Sequence, residues 1–527
     1  MIFNVTPQDA RKRIHGAEEV AFLDVREAGQ FGEGHPLFAV PCPYSRLELA
    51  IGGLVPRKST PLLLLDAGDG VAQLAAQRLA AAGYADIAIV EGGAAGWQAA
   101  GLTLFKGVNV PSKTLGELVE HALHPPMIEA VALAQWQREG RAFRLFDARP
   151  PAEYAKMRVP GARCLPNGEL AHRFEAVVGD RLTPVIVTCA GRTRGLIGAA
   201  GLRLAGIPNP VYALENGTQG WALAGLALER GNSADPFPEL EAEARKVSMA
   251  RADVLCRRRA IPIIDASNVQ AMCSEPARTT YVFDVRSEAE AKGDPVAIAK
   301  HAPSGQLVQA SDHWIGVRRA RIVLADDTGL RAALAAFWLR QLGYDTCVVR
   351  IDDALRRLQP SEPRQETSHR ALERVSPAEA LSLARDGGGL LLDLRASQRY
   401  RAGHAAGAQW SIRPRLGAIG ALSGRPAALF TDEVAVGRLA AIDLAELGAG
   451  PVMEVAGGFE AWAGAGLPVE PAADRPSEAE AIDYLWFVHD RHDGNLAASR
   501  QYLAWEQGLI AQLDPEERAE FKIEGPD

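Results

Sequence analysis

At 527 residues the chain is too long for one hydrophobic core, which rarely grows past about 250–300 residues, so several domains are expected. Its composition, 47% hydrophobic and 23% charged, is that of a globular protein, and no apolar run approaches the roughly 20 residues of a membrane span. A net charge of −8 disfavours nucleic acid or an anionic membrane as partner, and six scattered cysteines without Cys-x-x-Cys spacing suggest neither a disulfide framework nor a zinc site. The N-terminus lacks the basic-then-apolar order of a secretory signal, so a cytoplasmic location is expected.

The first unit, residues 1–104, sets a pattern that recurs along the chain. One apolar strand runs into Asp24-Val25-Arg26, a second (Leu62 to Leu65) stops at Asp66, and Glu91-Gly92-Gly93 leads on to Trp97. The second unit, 105–230, repeats it with Asp147-Ala148-Arg149, then Val185 to Thr188 stopping at Cys189, then Asn216-Gly217 ahead of Trp221. A linker and an Ala/Glu/Arg-rich connecting helix, expected over Glu239 to Arg259, occupy 231–261. The third unit, 262–358, carries Asp284-Val285-Arg286 and Asp326, but finishes in Val348 to Asp352 without the glycines or the tryptophan. A second linker is expected over 359–370, and the fourth unit, 371–470, carries Asp393-Leu394-Arg395, Asp432, Gly457-Gly458 and Trp462.

Spacing confirms the repeat. From Asp24 to Asp66, Asp147 to Cys189 and Asp284 to Asp326 the separation is 42 positions, and from Asp393 to Asp432 it is 39. Strands alternating with amphipathic helices imply an α/β fold, each unit a parallel sheet flanked by helices, with ligands off the carboxyl ends of the strands. Residues 471–527 read as a helical C-terminal tail. Ser477-Glu478-Ala479-Glu480 predicts a capped helix to about His489, and Leu496 to Leu513 predicts another. Tyr484, Trp486, Phe487, Tyr502 and Trp505 predict that the tail docks on the repeats or on a second subunit, giving a homodimer or a protein partner.

Chemistry concentrates where the second unit's strand feeds a helix: Cys189-Ala190-Gly191-Arg192-Thr193-Arg194-Gly195. A helix N-terminus and nearby cations stabilise a thiolate, and loop N–H groups cradle an anion, so Arg192 and Arg194 are expected to bind a dianionic substrate at a nucleophilic or sulfur-carrying Cys189. No metal or cofactor is expected. His489, Asp490 and His492 offer ligand atoms, but Arg491 between them opposes a cation.

Asp147-Ala148-Arg149-Pro150-Pro151-Ala152-Glu153-Tyr154, then Val159-Pro160-Gly161-Ala162, the cysteine loop, Asn216-Gly217 and Trp221 together resemble the rhodanese superfamily of sulfurtransferases. Arg158 stands where that family usually has His. Asp24 to Glu27 and Gly403-His404 to Ala408 extend the resemblance over all but the tail. It implies that Cys189 carries sulfane sulfur from thiosulfate or a persulfide to cyanide or a thiol, with Ala190 to Gly195 binding the donor. Asp147 and Arg149 are expected to support the loop base as a structural pair. Asp66, Asp326 and Asp432 cannot carry sulfur, so the other three units are expected to be silent. Two alternatives stand beside this: a sulfur carrier or scaffold for a protein partner, and a phosphatase or arsenate reductase, whose anion-binding Arg falls six positions after the cysteine, where this chain has Gly195. The basic loop disfavours 3-mercaptopyruvate as donor.

Overall fold

The computed structural model describes residues 1–360, 371–386, 388–420 and 422–525. It contains four five-stranded sheets, and in each the strands lie in the same order, first–fifth–fourth–second–third. Every pairing recorded within these sheets is parallel, as in Arg144–Asp147 against Val185–Thr188. The fold is therefore the expected tandem α/β arrangement, with helices covering the buried strands.

Two compact units are formed. One gathers the described residues of 1–10, 22–108 and 364–487, holding the first and fourth sheets; the other gathers those of 11–21, 109–363 and 488–527, holding the second and third. The strands Leu62–Leu65 and Ala427–Phe430 are wholly buried apolar runs, and every residue of Val185–Thr188 is buried. The closing turns behave as their glycines require. Gly92, Asn216 and Gly457 adopt positive φ, and Trp97, Trp221 and Trp462 pack beneath, each donating its indole N–H to a carbonyl six residues on, Thr103, Ala227 and Pro468.

The Asp-x-Arg signature is a structural brace. In all four units the arginine grips its aspartate through two nitrogens and reaches a carbonyl eight residues ahead: Arg26 to Gly34, Arg149 to Met157, Arg286 to Asp294 and Arg395 to Gly403. The brace ties the second strand to the chain entering the third. Its presence in all four units fits a structural part.

The connecting helix is present, as Ala242–Arg258. In the third unit the last strand, Asp345–Arg350, is followed by the short helix Asp353–Arg356, capped by Asp352 in place of the Gly-Gly turn. The predicted helix from Ser477 to His489 does not form, so the tail is only partly helical. Glu480 does bond back to the Ser477 N–H, but the backbone of this stretch bonds elsewhere: the Ile482 carbonyl accepts from the Gly29 N–H, and turns replace the helix. The first regular tail helix is Leu496–Gln507, capped by Asn495 and ended at Gly508, which divides the predicted Leu496 to Leu513 stretch. Residues 361–370 of the expected second linker lie outside the described residues.

Candidate active site

Cys189 ends the central strand Val185–Thr188, and the helix Thr193–Leu204 begins four residues later. The loop between is clamped by the Asn216-Gly217 turn. The Cys189 carbonyl accepts from the Thr218 N–H at 2.8 Å and the Ala190 carbonyl from the Gln219 N–H at 3.0 Å. Glycine is required at 217: a Cβ there would lie 2.3 Å from the Cys189 carbonyl oxygen. From the other side the Asn167 carboxamide donates to the Arg194 carbonyl.

Two opposed effects act on the thiol. Burial pushes Cys189 above the ordinary thiol range, while the Arg194 guanidinium and the Gly195 N–H pull it down; Glu506 and Asp147 add to the upward push. Arg194 makes a two-pronged pair with Glu153, both contacts 2.7 Å. Burial alone would depress Arg194, yet Glu153 holds it above its ordinary value; burial would raise Glu153, yet Arg194 holds it below.

The two arginines have different carboxylate partners. Arg192 donates to Glu117 at 2.7 and 3.1 Å, to Glu120, and to Asn216 at 3.1 Å. Glu117 and Glu120 project from the helix Val110–Leu123, whose role the sequence did not suggest. Both contacted carboxylates lie outside the loop, on the helix Val110–Leu123.

A second surprise is the tail. Glu506, on the helix Leu496–Gln507, accepts from the Thr193 hydroxyl at 2.8 Å. A Cβ on Gly191 would lie 3.1 Å from Tyr502 Cε1 and 3.2 Å from Glu506 Oε2, so glycine here allows the tail to close on the loop. Lys113 lies over the Tyr502 and Trp505 rings, and Arg491 over Tyr502. Cys189 is only 2% exposed. The aromatic residues of the tail signalled docking; nothing local signalled where.

The corresponding loops of the other units hold their own anion. Asp66 accepts from the N–H groups of Gly68, Gly70 and Ala72 at 2.8, 3.1 and 3.0 Å. Asp326 accepts from the Arg331 backbone and side chain, and Arg331 stands five positions after Asp326, as Arg194 stands after Cys189. The third unit thus keeps a loop arginine that the sequence reading overlooked. Asp432 accepts from Arg399 at 2.7 Å.

For a metal, one trio among the described residues, His172, Glu290 and Asp327, brings ligand atoms within 4.8 Å of one another. Both carboxylates are already engaged by Arg331. Cys164 hydrogen-bonds weakly to the Arg149 carbonyl inside the core of the second unit.

Comparison with known proteins agrees with this geometry. The family model described as "Rhodanese-like domain" matches residues 6–100 and 129–224. A thiosulfate sulfurtransferase from Pseudomonas aeruginosa, known from its crystal structure, is 37% identical with a TM-score of 0.90, over 99% of this chain and 100% of that one. An HTH-type transcriptional regulator of Mycobacterium tuberculosis is 33% identical over 96 residues, 18% of this chain and 41% of the regulator, so the chain spans less than half the length of that relative.

Proposed function

The chain belongs to the rhodanese family and is a sulfurtransferase, and from that premise we propose that its one working centre is Cys189, in the second of four tandem domains bounded as the sequence reading sets them. The observation that carries the proposal is the placement of this sulfur alone, among the residues aligned by the repeat, as a thiol at a helix N-terminus with an arginine and a loop N–H acting on it.

The reaction runs in two halves. Cys189 thiolate attacks the outer sulfur of thiosulfate or of a persulfide; the donor's S–S bond breaks and sulfite or a thiolate leaves with the electron pair. Cys189 then holds a persulfide, whose outer sulfur passes to cyanide or a thiol. Arg194 stabilises charge on the departing group, with Thr193, Gly195 and the N–H groups of Ala190 and Gly191 lining the donor's path. Arg192 shapes the loop by anchoring it to Glu117. Asp66, Asp326 and Asp432 leave the other three domains silent. A sulfur-carrier reading is favoured by one observation, the closing of the tail on the cysteine loop at Gly191 and Thr193, and differs in requiring a protein acceptor.

Mass spectrometry after incubation with thiosulfate, and separately with a small persulfide, tests the proposal. One added sulfur on Cys189, discharged by cyanide and absent from Cys189→Ser, is the expected result. No sulfur on Cys189 from either donor overturns it.

A further inference from the structure

Three polar atoms around Gly191 stand out because they are buried and without a hydrogen-bond partner: Glu506 Oε2, Gln219 Oε1 and Gln219 Nε2. Glu506 is 1% exposed and Gln219 2%. A Cβ on Gly191 would lie 3.2 Å from Glu506 Oε2 and 3.6 Å from Gln219 Nε2, so both side chains converge on the outer face of the cysteine loop. Glu506 and Cys189 also lie close enough for the carboxylate to act on the thiol.

A buried polar atom left unpaired costs free energy comparable to the hydrogen bond it lacks, and for a carboxylate oxygen more. Lys113 acts on Glu506 through its charge, yet Oε2 has no hydrogen-bond partner. Glu506 Oε1 is already bonded to Thr193, which anchors the tail helix, whereas Oε2 is free to serve another group. Two of the three unmet atoms are acceptors and one of those carries charge. The complement is a group rich in N–H donors, and an ammonium fits best.

We propose that Glu506 and Gln219 form the acceptor subsite of the sulfur-transfer centre and select a thiol that carries an ammonium group, an aminothiol. The proposal rests on the reading of Cys189 as the sulfur-carrying residue. In the transfer step the acceptor's thiolate sulfur forms a bond to the outer sulfur of the Cys189 persulfide, the bond from that sulfur to Cys189 Sγ breaks, and Sγ keeps the electron pair. The proton of the persulfide stays on the outer sulfur and leaves with the acceptor. Glu506 touches none of the exchanging sulfurs; it places the acceptor through its ammonium, with Gln219 sharing the donors. The same carboxylate opposes an acceptor bearing its own negative charge.

The test loads the full chain with one sulfur and follows its discharge to 2-aminoethanethiol, 2-mercaptoethanol and 3-mercaptopropionate, which differ in charge at similar size. The quantity read is the ratio of second-order discharge rates, cationic over anionic, in wild type divided by the same ratio in Glu506→Gln; intrinsic thiol reactivity cancels in that quotient. Glutamine keeps the shape and the Thr193 hydrogen bond but removes the charge. A quotient of about ten or more, equivalent to about 1.4 kcal/mol, is expected. Gln219→Met, a change outside the tail, is expected to lower the ratio in the same direction. Unchanged ratios in both variants overturn the subsite while leaving the sulfurtransferase reading intact. A wild-type chain that takes up no sulfur on Cys189 overturns that reading and the subsite with it.

Discussion

At Cys189 the balance is struck between desolvation, which favours the thiol, and one guanidinium with one N–H, which favour the thiolate. Burial already holds the thiol above its ordinary range, and removing the guanidinium takes away the largest effect opposing it. Arg194→Ala is therefore expected to move the pH of half-maximal alkylation of Cys189 upward, with Arg194→Lys falling between; a profile that does not move removes Arg194 from the site. Arg192 belongs to a different balance. Burial raises Glu117 and Arg192 lowers it, so Arg192→Ala strands a carboxylate that is 1% exposed. Breaking a buried pair this way typically costs about 3 kcal/mol or more. The expected result is a lower denaturation midpoint with little change in the Cys189 alkylation profile, the reverse of the Arg194 result.

The tail helix and the cysteine loop form one element of closure. Tyr502 is nearly buried against the loop, so Tyr502→Ala is expected to raise the alkylation rate of Cys189 several-fold and to destabilise the protein by roughly 3 kcal/mol, as truncations of buried aromatics do. Equal rates in both chains would mean that the tail does not limit access. Acid acts on the same element through His492. Burial, then Arg491 and Arg149, depress its imidazole to about 3. Because the folded value lies below the ordinary 6.5, the stability contributed by the neutral ring is full above 6.5 and is lost as pH falls toward 3. Proteolysis of the segment from Val488 to Leu496 should accelerate over that window, and His492→Gln should flatten the dependence. A wild-type cleavage rate flat across the window would exclude His492 as the acid-sensitive group.

Over the whole molecule, periodicity carried the fold. Strand endings at fixed spacing located every sheet, because a strand end and a helix start are local events written in adjacent residues. Contacts far apart in sequence were not legible. Thr193 and Glu506 are 313 positions apart, and the partners of Arg192 lie on a helix that the sequence presented only as a lead-in to the second unit. Arg331 was legible in register yet overlooked, since the loop ahead of it has neither the cysteine nor a second arginine.

That residue bears on the proposed silence of the other three units. If a missing cysteine were the whole reason, Asp326→Cys would restore a thiol five positions ahead of an arginine. Arg331, however, is wholly buried and shared among Glu169, Glu290 and Asp327 as well as Asp326. Three carboxylates would still claim it, leaving the new thiol buried and without a free cation. In the first unit, Asp66→Cys would face a loop whose own residues include no arginine or lysine from Asp66 to Gly70. Both variants are therefore expected to take up one sulfur per chain, on Cys189, as wild type does. Two sulfurs on either variant would show that the other units lack only a nucleophile and keep a working cradle around its place.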